Sequence, residues 1–353
     1  MTKKSRPRTG ADSRPAVFLG IETSCDETSA ALLTEDFEVL GSVVLSQDEI
    51  HAPYGGIVPE LASRQHIRSI GYVVAECLTR SGRTLSDVDG FAVTQGPGLI
   101  GSLLVGLSFA KGLSYCFQKP LYPVDHLSAH IHSVLIEHPS IPVPALALLV
   151  SGGHTSIFLM REKLDVVCLA KTRDDAAGEA LDKIAKFLDL GYPGGPVIDR
   201  IAAEGTAGTF PFSLPQMSDG SADFSFSGLK TAAVRLIREQ ELNAGHAALP
   251  DFLASFQQAV VDALCRNTKK LIRKIRPRSL ILVGGVARNS MLRRDFLSLA
   301  EQHNIPAAIP SPGYCTDNAA MVAALAVEQY KQGRRPDPAL DLNAYSQFQD
   351  LRT

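Results

Sequence analysis

Val17-Phe-Leu-Gly-Ile-Glu-Thr-Ser-Cys-Asp-Glu-Thr28 and Ala145-Leu-Ala-Leu-Leu-Val-Ser-Gly-Gly-His154 share one plan, an apolar run ending abruptly in a turn of polar and small residues. Two more apolar segments joined by short turns follow each: Ser29 to Leu33 and Val39 to Leu45, then Thr155 to Met160 and roughly Asp165 to Ala170. Three segments so closely joined predict an antiparallel meander. Further on, Gly90 to Thr94 enters Gln95-Gly-Pro-Gly98 and a helix from Ile100 to Tyr115. Its counterpart is Ser279 to Val283, entering Gly284-Gly285 and a helix from about Arg288 to Glu301. Each pass closes on a short strand and a helix: Leu121 to Pro123 with His126 to Glu137, and Ala307 to Ile309 with Asp317 to Tyr330. Such long-period self-similarity predicts a duplicated α/β lobe. Strands entering glycine-rich turns that open helices suit phosphate binding by exposed N–H groups.

The helix that closes the first pass begins at Asp125-His-Leu-Ser-Ala-His130. Residues four apart share a helix face, so both imidazoles can reach one transition metal. No glutamate follows the first histidine, so the general base of an HExxH protease is missing. Two surface histidines at a helix end are the plain alternative. The closing helix of the second pass begins near Asp317, in Tyr314-Cys-Thr-Asp-Asn318. If a pseudo-two-fold relates the lobes, Asp317 faces His126 and His130 across the cleft. The result is a 2-His-1-carboxylate set with open positions. Asp317 would otherwise serve as an N-cap.

The chain has 353 residues, 45% of them hydrophobic, and a net charge of −2, enough for two lobes with their own cores. No apolar run is expected to reach the roughly 18 residues of a membrane span, and no membrane role is expected. Residues 1–16 carry Lys3, Lys4, Arg6, Arg8 and Arg14 without an apolar segment and predict a disordered basic tail. Six cysteines without CxxC spacing suggest reduced thiols and a cytoplasmic location. With so small a net charge, any nucleic acid must be held by a local patch.

Taken in order, Gly20-Ile-Glu-Thr-Ser-Cys-Asp-Glu-Thr28, Gln95-Gly-Pro-Gly98, His126-Leu-Ser-Ala-His130, Leu149-Val-Ser-Gly-Gly-His-Thr155, Gly191-Tyr-Pro-Gly-Gly195, Gly284-Gly-Val-Ala-Arg-Asn289 and Thr316-Asp-Asn318 closely resemble the TsaD (Gcp/YgjD) family. The resemblance spans about Val17 to Tyr330. It implies the duplicated actin/hexokinase/Hsp70 (ASKHA, RNase H-like) superfold with a central cleft. The first lobe would hold residues 17–138 and 314–345, the second 139–313. It implies a tRNA N6-adenosine threonylcarbamoyltransferase that takes the threonylcarbamoyl group from threonylcarbamoyl-adenylate. The acceptor is the N6 amine of adenosine at position 37 of tRNAs reading codons that start with A, and AMP leaves. One divalent metal, iron(II) or zinc, would sit on His126, His130 and Asp317. Leu149, Val150, Ser151, Gly152 and Gly153 would lie against the substrate, with Asp182, Gly195, Asp199 and Asn289 at its nucleotide part. A paralogous ASKHA-fold partner (TsaB-like) and a small ATPase (TsaE-like) would assist.

The chemistry suits these residue types. The lone pair of the adenine amine is delocalised, so the donor must be activated and the protein must orient it and stabilise developing charge. Backbone N–H groups of Ser151, Gly152 and Gly153 can meet an anion. Asp182 and Asp199 can accept ribose hydroxyls, or else be a helix-surface charge and an ordinary turn or cap. Asn289 can reach an adenine edge or simply begin a helix. Asp26 and Glu27 are candidates for receiving the amine proton, or cap the first hairpin. His154, His132 and His138 read equally as core histidines, and nothing near Cys25 argues for a lowered pKa. For RNA, the segment from Gln47 to Gln65 with His66 and Arg68 is expected along the approach. The clearest basic run is Arg266, Lys269, Lys270, Arg273, Lys274, Arg276 and Arg278, with a solvated helix face as the alternative. Ile67, Ile70, Val73, Val74 and Cys77 form one helical face, in the core or at the paralogue.

Overall fold

The computed structural model describes residues 14–215, 217–334, 336 and 344–345. Most of the expected basic tail lies outside them; Arg14 already pairs with Asp89 at 3.0 Å and Ala16 is buried. The first sheet contains β1 (Val17–Glu22), β2 (Glu27–Thr34), β3 (Val39–Ser46), β4 (Gly90–Gly96) and β5 (Leu121–Asp125). Interleaved are the short helix α1 (Asp48–His51), the long α2 (Pro59–Ser81), α3 (Ile100–Phe117) and α4 (His126–His132). The second half supplies β6 (Ala145–Val150), β7 (Thr155–Glu162), β8 (Asp165–Lys171), β9 (Ser279–Val283) and β10 (Ala307–Ala308). Its helices are α5 (Ala177–Phe187), α6 (Gly194–Ala202), α7 (Ser227–Glu239), α8 (Leu249–Ile275), α9 (Ser290–Gln302), α10 (Pro312–Cys315) and α11 (Ala319–Lys331).

Sheet order repeats the duplication. It is β3-β2-β1-β4-β5 in one sheet and β8-β7-β6-β9-β10 in the other, the first three strands antiparallel and the last two parallel additions. β1 and β6 are central and buried at every residue, which is why both read as unbroken apolar runs.

The packing between the sheets explains α11. From Ala319 to Gln329 every residue of this helix is buried, among them Ala319, Ala320, Ala323, Ala324 and Ala326. It packs on β1 and β2 and joins α4 in one apolar cluster that also takes Ala147, Leu149 and Phe158 from the second sheet. A helix apolar on all sides belongs in such a place. Gly20 is required on β1 because a Cβ there would lie 2.3 Å from the Ala319 carbonyl oxygen.

Several elements depart from the sequence reading. The regular part of the histidine helix stops at His132, and Ser133–Ile136 tighten into a 3-10 turn. α9 starts at Ser290 after a 3-10 turn over Gly285–Arg288. Asn318, not Asp317, caps α11, its side chain accepting the N–H of Met321; Asp317 is thereby left out of the cap. α3 is 18 residues long with hydropathy 1.4, enough by length and composition to cross a membrane, contrary to the expectation of no such run. Here it packs on β4 and α2. Of the expected α2 face, Ile70, Val73, Val74 and Cys77 are buried under the first sheet, whereas Ile67 is 65% exposed.

Candidate functional site

α4 follows directly on β5, and the Asp125 carboxylate caps it by accepting the Ser128 N–H at 2.8 Å. The cap fixes the first turn, and the helical spacing then brings His126 and His130 together, ring centroids 4.7 Å apart. Asp317 comes from the turn before α11: its Oδ1 is 3.0 Å from His130 Nε2 and 3.7 Å from His126 Nε2. One ligand atom from each of the three residues lies within 4.8 Å of the others. Asp317 thus meets His126 and His130, as a pseudo-two-fold between the halves requires.

Around the trio, Glu22 at the end of β1 is fully buried, its Oε2 3.3 Å from His126 Nδ1. Thr94 Oγ1 donates to the same oxygen at 2.5 Å, and the Ser24 N–H donates to Oε1 at 2.5 Å. With Nδ1–H donating to Glu22, the Nε2 lone pair of His126 is free to face the trio. The electrostatics agree. Burial disfavours charge on His126, yet Asp317 and Glu22 outweigh it and push its pKa up to about 9. Burial likewise opposes ionisation of Glu22, and His126 overcomes it, holding Glu22 below the usual range. A field that draws a proton so firmly also draws a cation. His130 Nδ1 is buried with no hydrogen-bond partner. Two imidazoles, a carboxylate and an ordering carboxylate behind one imidazole fit a divalent transition metal.

The other expected residues come from both halves of the chain. Leu149 and Val150 are buried at the end of β6, and the Ser151–His154 turn closes through Ser151 N–H to the His154 carbonyl at 2.8 Å. A Cβ at Gly152 or Gly153 would meet nothing within 4 Å, so this loop borders open space. His154 feels the trio: burial, then the charges of His126 and His130, push its pKa down to about 4 and keep it neutral. Asp26 and Glu27 close the first hairpin and share a hydrogen bond. Burial first, then Asp317 and Asp26, raise Glu27 well above the ordinary carboxylate range. Burial, against the bond from Glu27, also raises Asp26.

Asp182 and Asp199 both hold protein groups. Asp182 Oδ1 accepts the N–H groups of Gly194 and Gly195 at 2.8 and 3.2 Å, anchoring the start of α6. Asp199 accepts from Gln257 Nε2 at 3.0 Å, and from the hydroxyl and N–H of Ser290 at 2.8 and 3.0 Å. Asn289 caps α9 by accepting the Leu292 N–H, and its Nδ2 donates to Gln257 Oε1 at 2.9 Å. Gln257, buried on α8, thus joins Asp199 to Asn289; nothing in its sequence neighbourhood marked it. Glu22 and Thr94 were missed for the same reason, since their roles arise only when β1, β4 and α4 meet. Tyr192, raised by burial and then by Asp26 and Asp182, feels carboxylates of both lobes. Lys186 of α5 donates to the Gly55 carbonyl of the first lobe at 3.1 Å.

Comparison with known proteins agrees with this architecture. The chain is similar over 90% of its length to component A of the Acidaminococcus fermentans (R)-2-hydroxyglutaryl-CoA dehydratase, with 99% of that chain covered, TM-score 0.54 and 13% identity. It is similar over 90% of its length to HypF of T. kodakarensis, with 48% of that chain covered, TM-score 0.58 and 16% identity. At such identities the likeness speaks for the ASKHA-type fold alone. Closer relatives exist in sequence: a tRNA N6-adenosine threonylcarbamoyltransferase of Caldicellulosiruptor bescii is 45% identical over 90% of this chain and 94% of its own length. The same enzyme of Thermosipho africanus is 45% identical over 92% of this chain and 98% of its own. A family model described as TsaD, tRNA N6-adenosine threonylcarbamoyltransferase, matches residues 38–324. With two sheets of matching strand order and these matches over nine-tenths of its length, the chain belongs to the TsaD family.

Proposed function

We propose that this protein transfers the threonylcarbamoyl group of threonylcarbamoyl-adenylate to N6 of adenosine 37 in tRNA, releasing AMP. The reading is carried by family membership together with the convergence of His126, His130 and Asp317, whose charges reach His154 at the end of the Ser151–His154 turn. The amine nitrogen bonds to the carbamoyl carbon, the bond from that carbon to the phosphate oxygen breaks, and one proton leaves N6. The loop of Gly152 and Gly153 borders open space, and its N–H groups receive the developing or departing anion. Asp182 and Asp199 hold α6 and α9 in place against the nucleotide, with Gly195 and Asn289 beside it. Glu27, with Asp26, takes the proton; burial and neighbouring negative charge raise its affinity for one. A divalent cation on His126, His130 and Asp317, iron(II) or zinc, supplies a template and Lewis acidity when bound.

RNA is held by the C-terminal part of α8 and its exit. Lys270, Arg273, Lys274, Arg276 and Arg278 are exposed there. Lys270 also donates to the Ser221 carbonyl at 2.9 Å, and Arg266 to that of Pro215, so Arg273 and Lys274 are the freer cations. An ASKHA-fold paralogue covers the outer face of α2 and α3, where Ile67, Tyr72, Leu104 and Tyr115 are 65%, 66%, 51% and 75% exposed. Six free cysteines fit work in the reducing cytoplasm. A peptidase reading lacks its base, because Leu127 follows His126.

The test is incubation with unmodified tRNA, threonine, bicarbonate and ATP, adding the synthetase, the paralogue and the small ATPase, then nucleoside mass analysis. A threonylcarbamoyl increment on adenosine is expected. Unchanged adenosine alongside cleaved peptide substrates would overturn the reading.

A further inference from the structure

Three consecutive carbonyls of the hairpin turn between β1 and β2 are each held from a different element. The Ser24 carbonyl accepts the Leu99 N–H at the start of α3, at 2.8 Å. The Asp26 carbonyl accepts the Gln47 N–H, after β3, at 3.1 Å. The Cys25 carbonyl between them accepts from a side chain, Nε2 of His66 on α2, at 2.9 Å. His66 is 0% exposed. A carbonyl oxygen only accepts, so Nε2 carries the ring proton and Nδ1 must accept. Thr28 Oγ1, 2.8 Å from Nδ1, is then the donor to it. Burial pushes the His66 pKa down, so the ring is neutral and its tautomer single.

The ring is itself supported. Ser69 Oγ is 3.0 Å from Thr28 Oγ1. Gln47 lies against the ring at 3.4 Å and accepts His51 Nε2–H at 3.3 Å, and His51 Nδ1 accepts the Val58 N–H at 3.3 Å. Gln47, His51, His66 and Thr28 are all buried. This buried chain does not touch the metal-ligating trio, and nothing in the reaction uses it directly. His66 itself reaches the carboxylate pair through the peptide that joins Cys25 to Asp26.

We propose that His66 is a positioning residue for the transfer, setting the aim of the Asp26 and Glu27 carboxylates through the Cys25 carbonyl. The inference rests on the reading of that carboxylate pair as proton acceptor. Losing the bond frees the middle of the turn while its two ends stay tied, so the carboxylates wander by a fraction of their reach to the amine. Misplacement of about 1 Å can lower a rate by about 100-fold.

The test uses the full chain with its companion proteins. His66→Leu keeps similar bulk but cannot donate, while the amide nitrogen of His66→Gln sits near the position of Nε2 and can. His66→Leu should lower kcat by about 10- to 100-fold with KM for donor and tRNA little changed, metal content unchanged, and His66→Gln should recover most of the loss. In a Glu27→Gln background, His66→Leu should add little. Wild-type kcat in His66→Leu, or a loss confined to KM, overturns the proposal while inactive carboxylate variants leave the reading of the turn intact. Wild-type kcat in both Asp26→Asn and Glu27→Gln overturns that reading, and the positioning role with it. If His66→Leu does not fold, Thr28→Val decides. It removes the hydroxyl that fixes the tautomer, and a kcat equal to wild type in this variant overturns the proposal.

Discussion

Oε2 of Glu22 lies 3.3 Å from Nδ1 of His126, deep enough that both groups are almost without water. A carboxylate behind an imidazole sets its tautomer and raises its basicity toward a metal. Glu22→Gln keeps the shape and the Thr94 contact but loses the charge. Metal affinity is expected to fall about 10- to 100-fold, read by competition with a chromogenic zinc chelator. Affinity equal to wild type would remove Glu22 from this role.

His126→Ala and Asp317→Asn act on the trio itself. Each should lose bound metal and transfer activity, yet melt near the wild-type temperature, because α4 is still capped by Asp125 and α11 by Asn318. Stripping the wild-type protein with a chelator should reproduce the loss, and added iron(II) or zinc should reverse it. Stoichiometric metal retained in either variant speaks against these ligands.

Much of this was legible in the sequence for a physical reason. Central strands such as β1 and β6 are buried on both faces, so they are written as unbroken apolar runs, and the glycine turns after them mark where they end. The His126 and His130 pair was legible because helical spacing is local. Asp317 was legible only through the repeat, and its neighbour Asn318 took the capping role that the turn offered. Glu22, Thr94 and Gln257 were not legible. Each is a polar residue whose surroundings in sequence single it out for nothing, and its partner is distant: 104 residues from Glu22 to His126, 32 from Gln257 to Asn289.

Cys25 sits in the hairpin turn near the cleft, where a nucleophile would be plausible. Burial, followed by Asp26, Asp317 and Glu27, raises its pKa well above the thiol norm, and the thiolate is the reactive form. Iodoacetamide at neutral pH should therefore label exposed Cys116 long before Cys25. Labelling of Cys25 should quicken only at strongly alkaline pH. Peptide mapping over time checks this, and early labelling of Cys25 would contradict the electrostatic account.

Arg273 and Lys274, exposed near the end of α8, should each contribute a phosphate contact if that surface holds tRNA. Charge reversal at either should weaken tRNA binding and reduce the slope of log K against log salt by about 1. The donor KM should not move. An unchanged salt dependence places the RNA elsewhere.

Gly178, in the first turn of α5, backs the Ser151–Gly153 loop. A Cβ at this position would lie 2.5 Å from the Ser151 carbonyl oxygen and 2.8 Å from Gly152 Cα, and backbone atoms cannot swing aside as a side-chain tip can. The loop itself has room on its other side, because Cβ atoms at Gly152 and Gly153 would touch nothing. In Gly178→Ala the strain should therefore be relieved by pushing the loop into the cleft and not by unfolding α5. A stability loss of about 1–3 kcal/mol is expected, with a larger effect on donor use, seen as a raised KM and a lowered kcat. Gly152→Ala makes the complementary test: its melting temperature should match wild type while donor binding weakens, since the new methyl group occupies only open cleft. Wild-type donor kinetics in both variants would falsify the placement of this loop against the substrate.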